Sequence, residues 1–293
     1  MNCEVVMRDI VVGCITNYNF DKIKTWVNSL DRSGFDGLKV MLCYNIEYEV
    51  AEELAQRGYT IFAFGRDEEK RCLVYNKPNF NICLERFAHI PIFLNKLNNK
   101  EQYRYIITTD VKDVVFQSNP SEWLEKNLKQ DINLSCESLR YKDEPWGKQN
   151  MYMSFGPLIA ETMQERPIYN AGVIAGKFQP MLDMFTNIFL ACGGAPANVP
   201  GGGGPDQAAL NVLSSLYPYK NVMQYSMSES GWAAQLGTTV DPNKIDSFRE
   251  FLLEESPILI GDQVCTSKGV PHAIVHQYDR VPEWKKVIEK KYA

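Results

Sequence analysis

Asp9-Ile10-Val11-Val12-Gly13-Cys14-Ile15-Thr16 opens the part of the chain whose pattern decides the fold. It is a short apolar run that ends in the polar triplet Thr16-Asn17-Tyr18, the signature of a buried strand running out into a loop. Outward from it, Phe20 to Leu30 places Ile23, Trp26, Val27 and Leu30 at helical spacing and stops near Gly34 and Gly37. A second strand is predicted over Leu38 to Tyr44, a second helix over Tyr48 to Arg57 ended by Gly58, and a third strand over Tyr59 to Phe64. Strand, helix, strand, helix, strand predicts an α/β fold with a doubly wound parallel sheet in the N-terminal half. Ligands of such sheets sit outside the carboxyl ends of the strands, so the loops after the strands are where chemistry is to be sought.

Composition is consistent with one core. The chain has 293 residues, 45% hydrophobic and 23% charged, which excludes disordered, collagen-like and coiled-coil classes. Lys and Arg number 31 against 36 Asp and Glu, a net charge of −5, and no basic patch points to nucleic acid. The eight cysteines show no CxxC pair, so neither a zinc knuckle nor a disulfide scaffold fits, and a reducing compartment is expected. With no signal-peptide pattern and no apolar run near ~18 residues, a soluble, cytoplasmic chain without a membrane span is expected.

Three post-strand loops stand out: Thr16-Asn17-Tyr18, the Gly65-Arg66-Asp67 turn, and the acidic turn after Tyr103 to Thr109. The last carries the most. An apolar strand delivers Asp110 and Asp113 to its end, and Val114-Val115-Phe116 follows at once. Two carboxylates on one turn suit a hard divalent cation that also binds substrate phosphates. Between the last two loops a helix from about Phe80 to Leu97 carries Arg86 and His89, and Pro91 is expected to kink or interrupt it. Later, six glycines and three prolines fall between Gly193 and Pro205, where neither helix nor strand can persist; this loop reads as a surface connection or as an active-site lid. Pro205 and Asp206 are expected to cap the helix that begins there.

A strand ending in an acidic pair before Val-Val-Phe resembles the DxD element of GT-A glycosyltransferases. The sequence reads D-V-K-D, so Asp113 matches the last aspartate of that element, and Asp110 either ligates the metal or touches the ribose. Ile168-Tyr169-Asn170-Ala171-Gly172-Val173 is similar to the N-(A/S)-G-V strand of the glycogenin and lipopolysaccharide galactosyltransferase branch, and Pro205-Asp206-Gln207-Ala208-Ala209-Leu210-Asn211 to its Asp-Gln helix start. Motif order also matches, through a late histidine in Pro271 to Arg280; the G-x-x-K-P-W of the branch is replaced by Tyr278-Asp279-Arg280.

The resemblance implies a single mixed-sheet GT-A domain with helices on both faces. Residues of about 9–116 would bind the nucleotide-sugar and about 117–293 the acceptor. It implies Mn²⁺ or Mg²⁺ held by Asp110, Asp113 and His276, the last preferred to His272 because it follows the apolar Ala273-Ile274-Val275 run. Donor contacts would come from Thr16, Asn17, Tyr18, Arg66, Arg86, Asp110, Asn170, Ala171 and Gly172, with Tyr18 placed to stack on the base. Trp146 and Trp232 would form acceptor platforms. Asp206 is the expected base of an inverting reaction, and Gln207 or a backbone carbonyl would sit below the sugar in a retaining one. The expected activity is sugar transfer from a nucleoside-diphosphate sugar, of the UDP kind, to a hydroxyl of a glycan or glycoconjugate. The rivals are a sugar nucleotidyltransferase and a non-catalytic sugar-nucleotide or glycan-binding protein.

Overall fold

Residues 7–196, 198–216 and 219–293 are described by a computed structural model. The N-terminal alternation forms as the periodicity predicts: β1 (Arg8–Ile15), α1 (Phe20–Arg32), β2 (Leu38–Cys43), α2 (Tyr48–Gln56) and β3 (Thr60–Ala63). Asn19 caps α1 by accepting from the Lys22 backbone N–H, and the four apolar positions of that helix are all buried. Farther along come α3 (Ile82–Asn95), β4 (Tyr103–Thr109), β5 (Val114–Phe116), β6 (Ile132–Arg140), α4 (Pro145–Met163), β7 (Pro167–Lys177), α5 (Phe178–Ala191), α6 (Asp206–Ser215), β8 (Met223–Ser226), β9 (Ala233–Gln235) and β10 (Ile274–His276).

Seven strands make the main sheet in the order β8-β6-β7-β4-β1-β2-β3. β4, β1, β2 and β3 run parallel, and β7 runs antiparallel to both β4 and β6, so the sheet is mixed with a parallel N-terminal half. Alternate residues of β1 feed two cores: Val11 and Ile15 pack with α1 and α2 through Trp26, Leu30 and Leu54, while Ile10 and Val12 pack with α3 and α5 through Phe87, Leu94 and Phe185. Helices therefore cover both faces.

The expected interruption at Pro91 does not occur. α3 continues to Asn95, with Ile90, Phe93 and Leu94 buried around the proline and the Phe87 ring 5.4 Å from that of Phe185. Packing against α5 offsets the hydrogen bond that the proline removes. A second sheet, β9-β10-β5, stands beside the acidic turn, with β10 antiparallel to β5 and parallel to β9. Among the described residues no helix is long and apolar enough to cross a membrane.

Candidate active site

The sheet brings the acidic turn against a bulge. Asn170 of β7 pairs with Ser135 of β6 and Ile174 with the adjacent Leu134, so Ala171, Gly172 and Val173 are extra residues on that side. The bulge turns the Gly172 carbonyl toward the Asp110 N–H, which donates to it at 2.8 Å. Asp113 is fixed from the other side, its carbonyl accepting from the Gln277 N–H at 2.7 Å. His276 ends β10 opposite Val114, and its Nε2 lies 3.5 Å from Asp110 Oδ2 and 3.7 Å from Asp113 Oδ1.

Ligand atoms of Asp110, Asp113 and His276 all lie within 4.8 Å of one another. Two carboxylates and an imidazole fit a hard-to-borderline dication such as Mn²⁺ or Mg²⁺. The imidazole is oriented for this role. Its Nδ1 is 2.7 Å from Gln235 Oε1 on β9, and donation of the Nδ1 proton to that oxygen leaves Nε2 aimed at the two carboxylates. A lone pair directed at two anions is unfavourable unless a proton or a cation lies between them. Burial lowers the pKa of His276, but Asp113 and Asp110 outweigh it and the net shift is upward. Burial raises Asp110 too, yet the Arg86 guanidinium holds its carboxyl far below the ordinary range; Asp113 is pushed up, first by burial. Gly172 leaves room for all this: a Cβ there would stand 2.5 Å from His276 Cε1, 2.7 Å from Asn170 Oδ1 and 2.8 Å from Asp110 Oδ2.

Arg86 of α3 ties three segments together. Its Nη1 donates to Asp110, and its Nη2 to the Ala171 carbonyl and to Asp206 Oδ2, both at 3.1 Å. Asp206 begins α6 but caps nothing: Pro205 holds the cap position without a side-chain bond, and the Asp206 carboxylate turns to Arg86 instead. Burial raises its pKa against the pull of Arg86. Gln207 accepts from the Ala171 N–H at 3.3 Å, and Asn170 donates to Glu137 Oε1 at 2.6 Å.

These groups line a cleft of ≈ 360 Å³ that also contains Glu137, Trp146, Lys244 and Arg280. Glu137 was not singled out by the sequence reading. The available signal was the lone carboxylate in the strand-like run Ile132–Leu139, whose other residues save Asn133 are apolar or small, since acids are rarely buried without a purpose. Burial pushes its pKa up to about 7, opposed by the Asn170 amide. Gln235 and Gln277 were missed as well, since their roles exist only through contacts with His276 and Asp113. Trp146 borders the cleft beneath the glycine-rich loop, where Gly201 and Gly203 have φ of +89° and +79° and lie against the indole. Asn150 donates to the Gly204 carbonyl at 3.0 Å, while Ala197 of that loop lies outside the described residues.

Other expected contacts are not brought together. Trp232 is fully buried, its ring 4.8 Å from that of Trp123, so it is core and cannot serve as an acceptor platform. Arg66 sits on an outlying hairpin, Gly65–Asp67 against Cys72–Val74, and borders a separate cleft beside Tyr48 and Glu52. Asn17 and Tyr18, at the end of β1, line a neighbouring cleft of ≈ 610 Å³ with Asn45 and Asn76, and Thr16 accepts from the Asn17 amide. Burial, then the charges of Asp110 and Asp113, raise the Tyr18 pKa, so its phenol lies in the field of the acidic turn. His272 is fully buried away from the cluster, with its pKa lowered to about 4 by burial.

No protein-family model and no curated protein matches this sequence. Solved structures do match. The glycosyltransferase GlyE of Streptococcus pneumoniae TIGR4 superposes with a TM-score of 0.52 at 14% identity, covering 98% of this chain and 63% of that one. The apo structure of the bifunctional glycosyltransferase WbbM gives a TM-score of 0.52 at 12% identity, covering 99% and 52%. The chain has a glycosyltransferase fold. It spans about two thirds to one half of the length of these two structures.

Proposed function

We propose that this protein is a metal-dependent glycosyltransferase that moves a sugar from a nucleoside-diphosphate sugar, of the UDP kind, to a hydroxyl of a glycan or glycoconjugate. One observation carries the reading: β10 returns to the carboxyl end of the parallel strands and sets His276 beside Asp110 and Asp113. When bound, Mn²⁺ or Mg²⁺ supplies Lewis-acid stabilisation to the departing diphosphate. Asp110, Asp113 and His276 would hold it, and Gln235 would keep the imidazole in the required tautomer.

The remaining groups bind and orient. Asn170, Ala171, Gly172 and Arg86 shape the donor wall, and Asn17 with Tyr18 offers the entrance to the base. Asp206 is paired with Arg86, which favours binding of sugar hydroxyls over proton removal. Glu137, with a proton affinity near neutrality, is the cleft carboxyl best suited to proton transfer. Gln207 lies beside both and supports the reactive face of the sugar. Trp146 offers an aromatic surface to the acceptor.

The nucleotidyltransferase reading is disfavoured because Thr16-Asn17-Tyr18 at the end of β1 lacks the glycine-rich basic loop that a triphosphate requires. Incubation with a panel of nucleotide-sugars and Mn²⁺, followed for release of nucleoside diphosphate, tests the proposal. Slow donor hydrolysis is expected with one base type and one sugar. Tight donor binding without any turnover, with or without hydroxyl acceptors, would instead indicate a binding protein.

A further inference from the structure

A second cleft, of ≈ 310 Å³, shares no lining residue with the cleft at the acidic turn. Its volume falls in the range of about 300–1,000 Å³ typical of small-ligand sites. The sheet supplies its aromatic side. Tyr169 of β7 and Tyr225 of β8 flank β6, opposite Cys136 and Leu134, and their rings meet with centroids 4.7 Å apart. Tyr225 is 38% exposed, so part of its ring faces solvent. Two cations line the same cleft: Arg166, just before β7, and Lys220, in the turn between α6 and β8. No carboxylate lines it, in a chain whose net charge is −5. Among the described residues neither the Arg166 guanidinium nor the Lys220 ammonium has a hydrogen-bond or ion-pair partner. Glu165, the acid beside Arg166 in sequence, is taken by Lys142 at 2.8 Å. Burial raises the pKa of both phenols and the Arg166 charge draws both back, so the guanidinium acts on the whole aromatic pair.

The polar atoms select among ligands. A bare anion needs donors alone, whereas a sugar presents hydroxyl protons that need acceptors and a C–H face that packs on an aromatic ring. Ser214 and Ser215 donate their protons to the Asn211 and Val212 carbonyls, and Tyr225 donates its own to the Ser214 carbonyl at 2.6 Å, which leaves three hydroxyl oxygens as acceptors. The aromatic side is held in place, since Asn211 of α6 accepts from the Tyr169 N–H at 2.9 Å and donates to the Tyr169 carbonyl at 2.7 Å. We propose that this cleft binds an acidic saccharide, with a sugar ring against Tyr225 and its carboxylate or phosphate between Arg166 and Lys220. A guanidinium suits the bidentate contact that either acid offers, and Lys220 adds a mobile point charge. Such binding needs no metal and lies beyond the transfer reaction itself. It gives the protein a hold on an anionic glycan that is separate from the proposed transfer site.

Tri-galacturonate and glucose 1-phosphate are the acidic probes, maltotriose the neutral saccharide and inorganic phosphate the bare anion, each titrated by NMR into the full chain in EDTA. At least one acidic sugar should bind about ten times more tightly than maltotriose or phosphate, and which one does so tells whether the preferred acid is a carboxylate or a phosphate. Arg166→Gln and Lys220→Gln should each weaken that binding about tenfold, as loss of a charge-assisted contact predicts. Both side chains are exposed, so these variants should melt as the wild type does. Asp113→Asn should leave the binding unchanged, because the two clefts share no residue. Maltotriose or phosphate bound as tightly as the acidic sugars, full affinity in the Arg166→Gln, Lys220→Gln double variant, or no binding of either acidic sugar overturns the proposal. Each of these results leaves the nucleotide-sugar reading standing, since that is read separately by release of nucleoside diphosphate with Mn²⁺.

Discussion

Gly172→Ala tests the site with the smallest possible change. The new methyl carbon would stand 2.5 Å from His276 Cε1, 2.7 Å from Asn170 Oδ1 and 2.8 Å from Asp110 Oδ2, where carbon contacts prefer about 3.5–4.0 Å. Relief requires the imidazole to retreat by roughly 1 Å, because Gly172 is held on β7 between β4 and the Asn170 turn. Overpacking of this kind costs about 1–3 kcal/mol of stability. Its effect on metal binding should be larger in relative terms, since ligand positions tolerate only about 0.2 Å, and a 10- to 100-fold loss of Mn²⁺ affinity is expected.

Thermal unfolding with and without Mn²⁺ reads both effects. At a metal concentration about 100 times the wild-type Kd, binding stabilises the wild type by about 2.7 kcal/mol. The same concentration would stabilise the variant by only about 0.4 to 1.4 kcal/mol. At roughly 2–3 °C per kcal/mol for a chain of this size, a rise of about 5–8 °C shrinks to about 1–4 °C. Gly193→Ala is the control, because nothing lies within 4 Å of a Cβ there. A full wild-type Mn²⁺ response in Gly172→Ala would refute the three-ligand geometry.

His276→Ala should abolish Mn²⁺ binding while His272→Ala leaves it unchanged, and calorimetry on the pair separates ligand from core histidine. In metal-free protein the raised pKa of His276 means that its pairing with Asp113 and Asp110 is fully present below the ordinary ~6.5 and is lost as pH rises through the higher folded value. The stability difference between wild type and His276→Ala should therefore shrink with rising pH, whereas Mn²⁺ affinity of the wild type should increase over the same range; parallel trends would contradict the assignment. Glu137 carries the same sign: with a folded pKa of about 7, ~3 kcal/mol of stability should be lost between about pH 4.5 and 7, and Glu137→Gln should flatten that part of the pH profile. Residues 198–205 should become less sensitive to protease when a nucleotide-sugar and Mn²⁺ are bound, and equal cleavage with and without donor would exclude closure over the cleft.

Local pattern was enough for the first half of the fold. Hydrophobic periodicity reports which backbone conformation can bury a stretch of chain, so β1 to β3 and the helices between them were legible within two residues. The placement of Asp110 and Asp113 at a strand end was legible for the same reason, and the apolar run before His276 distinguished it from His272. Tertiary structure decided the rest. Periodicity shows that Trp232 and Glu137 occur in apolar surroundings but not which one faces a core and which one a cleft. Of the two outcomes expected at Pro91 the interruption does not occur, because helix continuity there depends on packing with α5, more than 80 residues away in sequence. Arg66 and Arg86 look alike as lone arginines after strands or in helices; only the bulge at Ala171–Val173 and the start of α6 make Arg86 the shared partner of Asp110 and Asp206. Whether Asp110, Asp113 and His276 meet at all depended on β10 pairing with β5 across some 160 residues. Such pairing is selected by the burial free energy of the whole core, to which no short window of sequence has access.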